Sequence, residues 1–242
     1  MRTRALRVMF VADSHGPHVD PVTFRVAKKF KSEFKPDLRY HLGDCFDCPT
    51  LRNNASKNEK MGDPDPDIEA GIEMLDWFKP THFCEGNHDY RIRREEKETI
   101  DGTRRAWCRS KRKQIESLLS GAKVIEYDKD EYFELGKYRV LHGITHGKTA
   151  LTKAVQLCGP VIMGHIHVSQ TVVLGNMDRD CAHSVGCLAD PNLDYNRADP
   201  GSYRHNTGFA YGLLMPDDTL IFQHAQPTDG KWMLSTAFKE FK

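Results

Sequence analysis

Apolar residues along this chain gather into short runs, and the period of each run predicts its element. Residues 5–12 (Ala-Leu-Arg-Val-Met-Phe-Val-Ala) predict a buried strand. Val22, Val26, Phe30 and Phe34 then recur every fourth residue and predict a helix. Asp20 is placed to cap its start, Pro21 to occupy its first position, and Lys35-Pro36 to end it. Residues 38–42 predict a second strand. Residues 49–66 are polar and rich in helix and strand breakers, which predicts a surface loop. Ile68, Ile72, Leu75 and Phe78 form a second helical stripe that stops at Pro80, and residues 81–84 predict a short third strand.

Residues 90–120 predict a helical stretch, very basic at first and amphipathic later, with Gly121 as its C-cap. Short strands are expected at 124–127, 131–135 and 138–141. A helix over 148–158 ends at Gly159-Pro160, and a buried strand comes next at 161–163. Later strands at 170–174, 209–215 and 219–224 succeed one another through turns. Early strands alternating with helices, then consecutive strands, predict an α/β arrangement of mixed sheet with helices outside. With no internal repeat, low-complexity tract or dividing linker, residues 1–242 are read as a single domain, with a helical insertion at about 90–120.

The residues just after each strand carry the chemistry. The strand at 161–163 runs into Gly164-His165-Ile166-His167, and neutral imidazole is the commonest transition-metal ligand. Read backwards, the same pattern returns as His142-Gly143, Gly86-Asn87-His88-Asp89, Gly43-Asp44 and Asp13-Ser14-His15. Functional groups in α/β folds collect at the carboxyl ends of strands, and every candidate here lies at one. His142 and His146 both precede glycine, and either is placed to be a ligand. His142 directly ends its strand and is favoured on that ground, which leaves His146 facing substrate or solvent.

Five such motifs in order resemble the calcineurin-like metallophosphoesterases, over residues 8–167. The resemblance implies a four-layer α/β/β/α sandwich of two mixed sheets flanked by helices. It implies two divalent transition-metal ions, Mn first, with Fe, Zn or Ni as alternatives. One would be held by Asp13, His15, Asp44 and His167, the other by Asp44, Asn87, His142 and His165, with Asp44 bridging. It further implies that His88 acts on the leaving group as general acid or charge stabiliser, oriented by Asp47. Such a site suits phosphoester hydrolysis, because paired cations neutralise the anionic oxygens that repel a nucleophile and can hold a bridging hydroxide in line. Histidine-rich, thiolate-free ligation matches Mn, Fe, Zn or Ni better than Mg or Ca.

The expected activity is therefore a dinuclear metal-dependent phosphoesterase for a phosphodiester or phosphomonoester, with nucleotide or nucleic-acid substrates favoured. Asp47-Cys48-Pro49 and Asn87-His88-Asp89 depart from the protein Ser/Thr phosphatase pattern, which puts phosphoprotein substrates in doubt. The alternative is a catalytically silent scaffold of the same fold. Such members typically lose the histidine equivalent to His88 or several ligands, whereas all are present here.

Bulk composition narrows this picture only at its edges. With 35 Lys and Arg against 34 Asp and Glu, no net field points to nucleic acid or membrane. No apolar run approaches the ~20 residues of a membrane span, and the charged start does not fit a secretory signal. Seven scattered cysteines, in a chain too long to need disulfides, point to a reducing cytoplasm. Cys45 and Cys48 lack the second pair a zinc ribbon needs and are read as packing residues. The segment 91–113 holds ten Lys and Arg against four acidic residues. It is either a solvated helical face or a phosphate-steering patch, with Arg91 best placed to meet substrate. His82, His183, His205 and His224 are read as ordinary core or surface residues, and His18 and His41 as neighbours of the site. The stretch 184–191 resembles a family position that lines the substrate side.

Overall fold

The first strand, β1 (Leu6–Val11), serves two cores at once in this computed structural model, which describes residues 3–175, 177–191 and 204–238. Its successive side chains point to opposite faces. Met9 and Val11 join an apolar cluster with Ala27, Phe30, Phe34, Ile68, Leu75 and Phe78. Val8 and Phe10 join another with Tyr40, Tyr138, Val140, Ile162 and Val185. A strand covered on both faces reads as a continuous apolar run.

The remaining elements are, in chain order, α1 (Pro21–Phe34), β2 (Leu38–His41), α2 (Lys57–Lys60), α3 (Asp65–Phe78), β3 (His82–Cys84), α4 (Tyr90–Glu98) and α5 (Gly102–Leu118). Then come β4 (Lys123–Ile125), β5 (Phe133–Leu135), β6 (Tyr138–Leu141), α6 (Ala150–Cys158) and β7 (Val161–Met163). The chain continues with β8 (Ser169–Val173), β9 (Cys181–Val185), β10 (Phe209–Leu214) and β11 (Leu220–Ala225).

One sheet has the order β11-β10-β1-β2-β3-β4, and the other β5-β6-β7-β9-β8. Both are mixed: β1 to β4 run parallel while β10 is antiparallel to β1, and β6, β7 and β9 run parallel between two antiparallel edges. The first core lies between the six-stranded sheet and the helices α1 and α3, and the second lies between the two sheets. A third packs Leu151, Ala154 and Val155 of α6 on Val161, Met163 and Ala182. These cores separate the four layers, α/β/β/α, that the motifs implied. No helix among the described residues is long and apolar enough to cross a membrane, and all seven cysteines are free thiols.

Several local expectations need correction. Val22 is exposed, and α1 buries Thr23 and Ala27 alongside the expected Phe30 and Phe34. A strict four-residue repeat drifts around a helix of 3.6 residues per turn, so the first member of the stripe rotates out to solvent. Residues 49–66 are more ordered than a surface loop. Thr50, Leu51 and Ala55 are buried, and α2 is closed by a capping box in which Ser56 and Glu59 satisfy each other's backbone amides. The stretch 90–120 is two helices, broken at 99–101, where the Asp101 side chain caps α5 through the amides of Thr103 and Arg104. Helix α5 ends at Leu118, before Gly121 is reached. Strand β9 carries no simple alternation, so the apolar pattern does not mark it. Met1 and Arg2 of the charged start lie outside the described residues.

Candidate metal centre

Five strands end on one rim, and the backbone there is unusual. Asp13, His15, Asp44, His165 and His167 all have left-handed φ values, 53°, 50°, 51°, 68° and 53°. For residues other than glycine this costs on the order of 1 kcal/mol or more each and persists only where the surroundings impose it. Here the backbone is tied from both sides: the amides of Asp13 and His15 donate to the carbonyls of Gly43 (2.9 Å) and Asp44 (3.0 Å). On the other flank, Leu188 and Ala189 donate to the carbonyls of Ala12 and Asp13, both at 3.0 Å. The stretch 184–191, expected on the substrate side, is therefore a buried brace beneath β1 in its 187–189 portion. The loops approach so closely that a Cβ on Gly86 would lie 2.2 Å from Asp44 Oδ1, and one on Gly43 2.7 Å from the Gly86 nitrogen.

Side chains converge from these loops. Asp13, His15 and His167 offer donor atoms within 4.8 Å of one another, as do Asp44, His142 and His165. Asp44 Oδ2 lies 3.3 Å from His142 Nε2 and 3.9 Å from His15 Nε2, between the two groups. His15 Nε2 faces His167 Nε2 at 3.1 Å. His142 Nε2 faces both Asn87 Oδ1 and His165 Nδ1 at 3.1 Å. Nitrogen and oxygen donors each ~2.1 Å from a shared ion, at right angles, stand about 3 Å apart. The donor set and its spacing therefore fit two cations sharing Asp44.

The ring orientations have identifiable causes. His142 Nδ1–H donates to the Leu42 carbonyl (2.7 Å), which turns Nε2 towards the cluster. His15 Nδ1 meets Asp47 Oδ1 at 3.1 Å, which does the same for that ring. His146 stands outside: its Nδ1 meets the far nitrogen of His165 at 3.1 Å, and the residue is exposed. The structure thus brings His142 into the donor cluster and places His146 on the exposed wall of the cleft that opens over it.

Beside the cluster, His88 Nδ1 bonds Asp47 Oδ1 at 2.7 Å, while the backbone amide of His88 donates to Asp44 Oδ1 at 2.8 Å. Burial disfavours the charged imidazole, but the charge of Asp44 and the Asp47 hydrogen bond outweigh it and raise the His88 pKa. Burial likewise opposes ionisation of Asp47, yet hydrogen bonds from His15 and His88 hold its carboxyl well below the usual range. His18, a neighbour by sequence, reaches within 3.8 Å of Asp47 Oδ2. His41 is buried, accepts from the Gly43 amide at 3.2 Å, and is pushed down to about 4, chiefly by burial.

Two further carboxylates, Asp89 at the end of its motif and Asp67 outside any motif, hold the loops in place. Asp89 accepts the amides of Phe46 and Gly86, both at 2.9 Å, and so ties two ligand loops together. Asp67 accepts the amides of Asp47 and Cys48, both at 3.0 Å. A cleft of about 430 Å³ opens over Asp44, Asn87, His88, His165 and His167. Lys148, Arg204 and His205 stand on its rim, and the His205 ring lies 4.8 Å from that of His167. Cys45 and Cys48 are buried with apolar neighbours, as packing residues would be.

Most cations of the basic segment have defined partners. Arg93, Arg104, Arg109, Lys111 and Arg112 are matched by carboxylates at 2.5–3.0 Å. Arg91 and Arg94 instead donate to the carbonyls of Asp47 (2.6 Å) and Leu51 (2.5 Å). Arg91 flanks the neighbouring groove rather than the cleft itself.

The sequence model of the calcineurin-like phosphoesterases matches residues 6–169. The chain belongs to that family. No curated protein matches the chain. Among solved structures, Vacuolar Protein Sorting 29 of Cryptosporidium parvum is similar at 14% identity, with 96% of each chain covered and a TM-score of 0.50. A dimetal phosphatase of Danio rerio shares 10% identity over 91% of this chain and 96% of its own, at a TM-score of 0.48. An archaeal phosphodiesterase shares 14% over 92% and 100%, at 0.47. At 14% identity the likeness to the Cryptosporidium parvum protein concerns the fold alone, and the calcineurin-like phosphoesterase assignment rests on the family match.

Proposed function

We propose that this chain is a dinuclear metal-dependent phosphoesterase acting on phosphodiesters or phosphomonoesters, with nucleotide or nucleic-acid substrates favoured. The observation that carries this reading is the adjacency of the donor groups Asp13/His15/His167 and Asp44/His142/His165, with Asp44 Oδ2 3.9 Å from His15 Nε2 and the His88–Asp47 pair against them. Asp13, His15, Asp44 and His167 would hold one ion and Asp44, Asn87, His142 and His165 the other, Mn first. Bound divalent ions would supply charge neutralisation for the phosphoryl oxygens and an activated water.

The chain's own residues do the rest. Asp47 accepts from His88 Nδ1, so the second ring nitrogen is the one that can give a proton to the departing oxygen. The raised pKa favours the protonated ring that such a role needs. Lys148 and Arg204 on the rim supply positive charge where an anionic substrate enters. The shared sheets and cores support reading residues 1–242 as one domain, with α4 and α5 contributing Ile92 and Cys108 to the first core. We place the protein in a reducing cytoplasm on its free thiols.

The test is hydrolysis of bis-p-nitrophenyl phosphate and p-nitrophenyl phosphate, with Mn²⁺ and after chelation, for the native chain and His88→Ala. Metal-dependent turnover that falls about 10²–10⁴-fold in the variant supports the reading. Two bound metals without turnover of these esters, nucleotides or DNA ends would favour the silent scaffold.

A further inference from the structure

Beyond Asn87 a second concavity opens. It shares Asn87 with the metal cleft, so the two are contiguous there. Its volume is about 520 Å³, and Arg91 and Arg94 stand one helical turn apart along its α4 wall.

The state of these two cations is the informative feature. Each guanidinium is pinned by a backbone carbonyl, Asp47 for Arg91 and Leu51 for Arg94, so each is held in place without losing its charge to a carboxylate. Among the described residues no carboxylate pairs with Arg91, and Glu98 approaches Arg94 Nε only to 3.9 Å. The third arginine of the groove, Arg52, is neutralised by Glu59 through contacts at 2.8 and 3.0 Å. Arg105 is likewise held by a backbone carbonyl, that of Thr99, but Arg91 and Arg94 are the two so held that line the groove contiguous with the metal cleft.

The groove is also lined by Tyr90 and Tyr127, and the Arg93 guanidinium lies 4.9 Å from the centre of the Tyr90 ring. Tyr90 and Tyr127 present rings 5.9 Å apart, and Tyr127 also lies 6.1 Å from the ring of His142. A flat organic group leaving the metal cleft past Asn87 meets these rings. Arginine pairs and phosphate match in fork geometry, and base-sized rings stack on tyrosine at little sequence cost.

We propose that this groove is a second phosphate subsite: Arg91 and Arg94 take a phosphoryl group one unit beyond the scissile one, and Tyr90 and Tyr127 carry the organic portion. This rests on the phosphoesterase reading for its biological sense and narrows the substrate to one with at least two phosphates. The second phosphate belongs either to a nucleotide chain or to a phosphoanhydride.

The test is equilibrium binding to the full chain stripped of metal by chelation, so that no turnover is involved. The probes are TpT against pTpT, which differ by one terminal phosphate, and AMP against ADP. For the native chain, pTpT binds about tenfold tighter than TpT, or ADP about tenfold tighter than AMP, as one charge-assisted contact predicts. The pair showing the advantage names the source. Arg94→Gln removes the advantage and leaves the affinity for the one-phosphate probe within about twofold. If that variant does not fold, the salt dependence of the native chain decides: the advantage shrinks between about 50 and 200 mM salt. Equal affinities within both pairs, or an advantage that survives Arg94→Gln or added salt, overturn the subsite. Hydrolysis of the nitrophenyl esters is read separately, so failure here leaves the phosphoesterase reading to its own assay.

Discussion

Asp47 Oδ1 stands 2.7 Å from His88 Nδ1 and 3.1 Å from His15 Nδ1. One carboxylate oxygen thus serves both a group proposed to protonate the leaving oxygen and a group proposed to hold metal. Its backbone amide is in turn held by Asp67 at 3.0 Å, which fixes where that oxygen points. The pairing predicts a coupled phenotype that neither histidine alone would give.

Replacing Asp47 with Asn removes the negative charge that helps raise His88 and retains the size of the side chain. A raised histidine keeps its proton above the ordinary value and loses it as pH rises through the raised one. Without Asp47 the alkaline fall in kcat moves to lower pH, and kcat at the optimum drops roughly 10–100-fold. An unmoved alkaline limb in a pH–rate profile of Asp47→Asn would show that Asp47 does not tune His88.

Much of this centre was legible because its chemistry lies in short motifs directly after strands, where local sequence and tertiary position coincide. Asp13, Asp44, His142 and His165 all fall in this class. Less was legible where distance along the chain had to be bridged. Asp67 acts from the start of α3 on the loop at 47–48, and Leu188 and Ala189 brace β1 from far downstream. His205 reaches the cleft from after β9, with no flanking glycine or strand to mark it. The choice between His142 and His146 needed the third dimension as well, since both precede glycine and only His142 has the Leu42 carbonyl beneath it.

Metal binding should release a proton at neutral pH. Burial would lower His142, but the charge of Asp44 and a hydrogen bond to it push the pKa up to about 9. His165, lowered to about 3 by burial and by the His142 charge, carries no proton to lose. A ligating imidazole must be neutral, so at pH 7 the entering cation displaces the His142 proton, and apparent affinity rises with pH towards 9. Calorimetric titration of Mn²⁺ in buffers of different ionisation enthalpy reads this directly. A buffer-independent enthalpy would contradict it.

Asp89 makes a stability prediction away from the donor atoms. Its two oxygens each accept one backbone amide, from Phe46 and Gly86, both at 2.9 Å. Asn offers one acceptor, and its NH₂ would face a donor. Asp89→Asn should therefore cost about 1–3 kcal/mol in denaturant unfolding, the range for leaving a buried donor unpaired. It should loosen the 43–48 and 86–88 loops together, seen as reduced metal content after dialysis. Unchanged unfolding midpoints would mean the two amides are satisfied in another way.

A pair of glycine substitutions separates packing at the centre from helix propensity elsewhere. A Cβ on Gly86 would meet Asp44 Oδ1 at 2.2 Å and the Asp44 nitrogen at 2.3 Å. The second of these is backbone, held by the strand behind it, so it cannot swing aside. Gly86→Ala must displace the Asp44 loop, the element proposed to bridge both ions. Overpacking of this kind costs about 1–3 kcal/mol, a fall in Tm of roughly 5 °C for a domain of this size. Gly102, in the first turn of α5, has nothing within 4 Å of its built Cβ, so Gly102→Ala should be neutral or stabilising by up to about 1 kcal/mol. Both variants are compared by thermal unfolding and by metal content. The Gly86 variant is expected to lose both stability and metal, and the Gly102 variant neither. Retention of two metals per chain in Gly86→Ala would show that the Asp44 loop can move without disturbing the donors, and would remove Asp44 from its proposed position as the shared ligand.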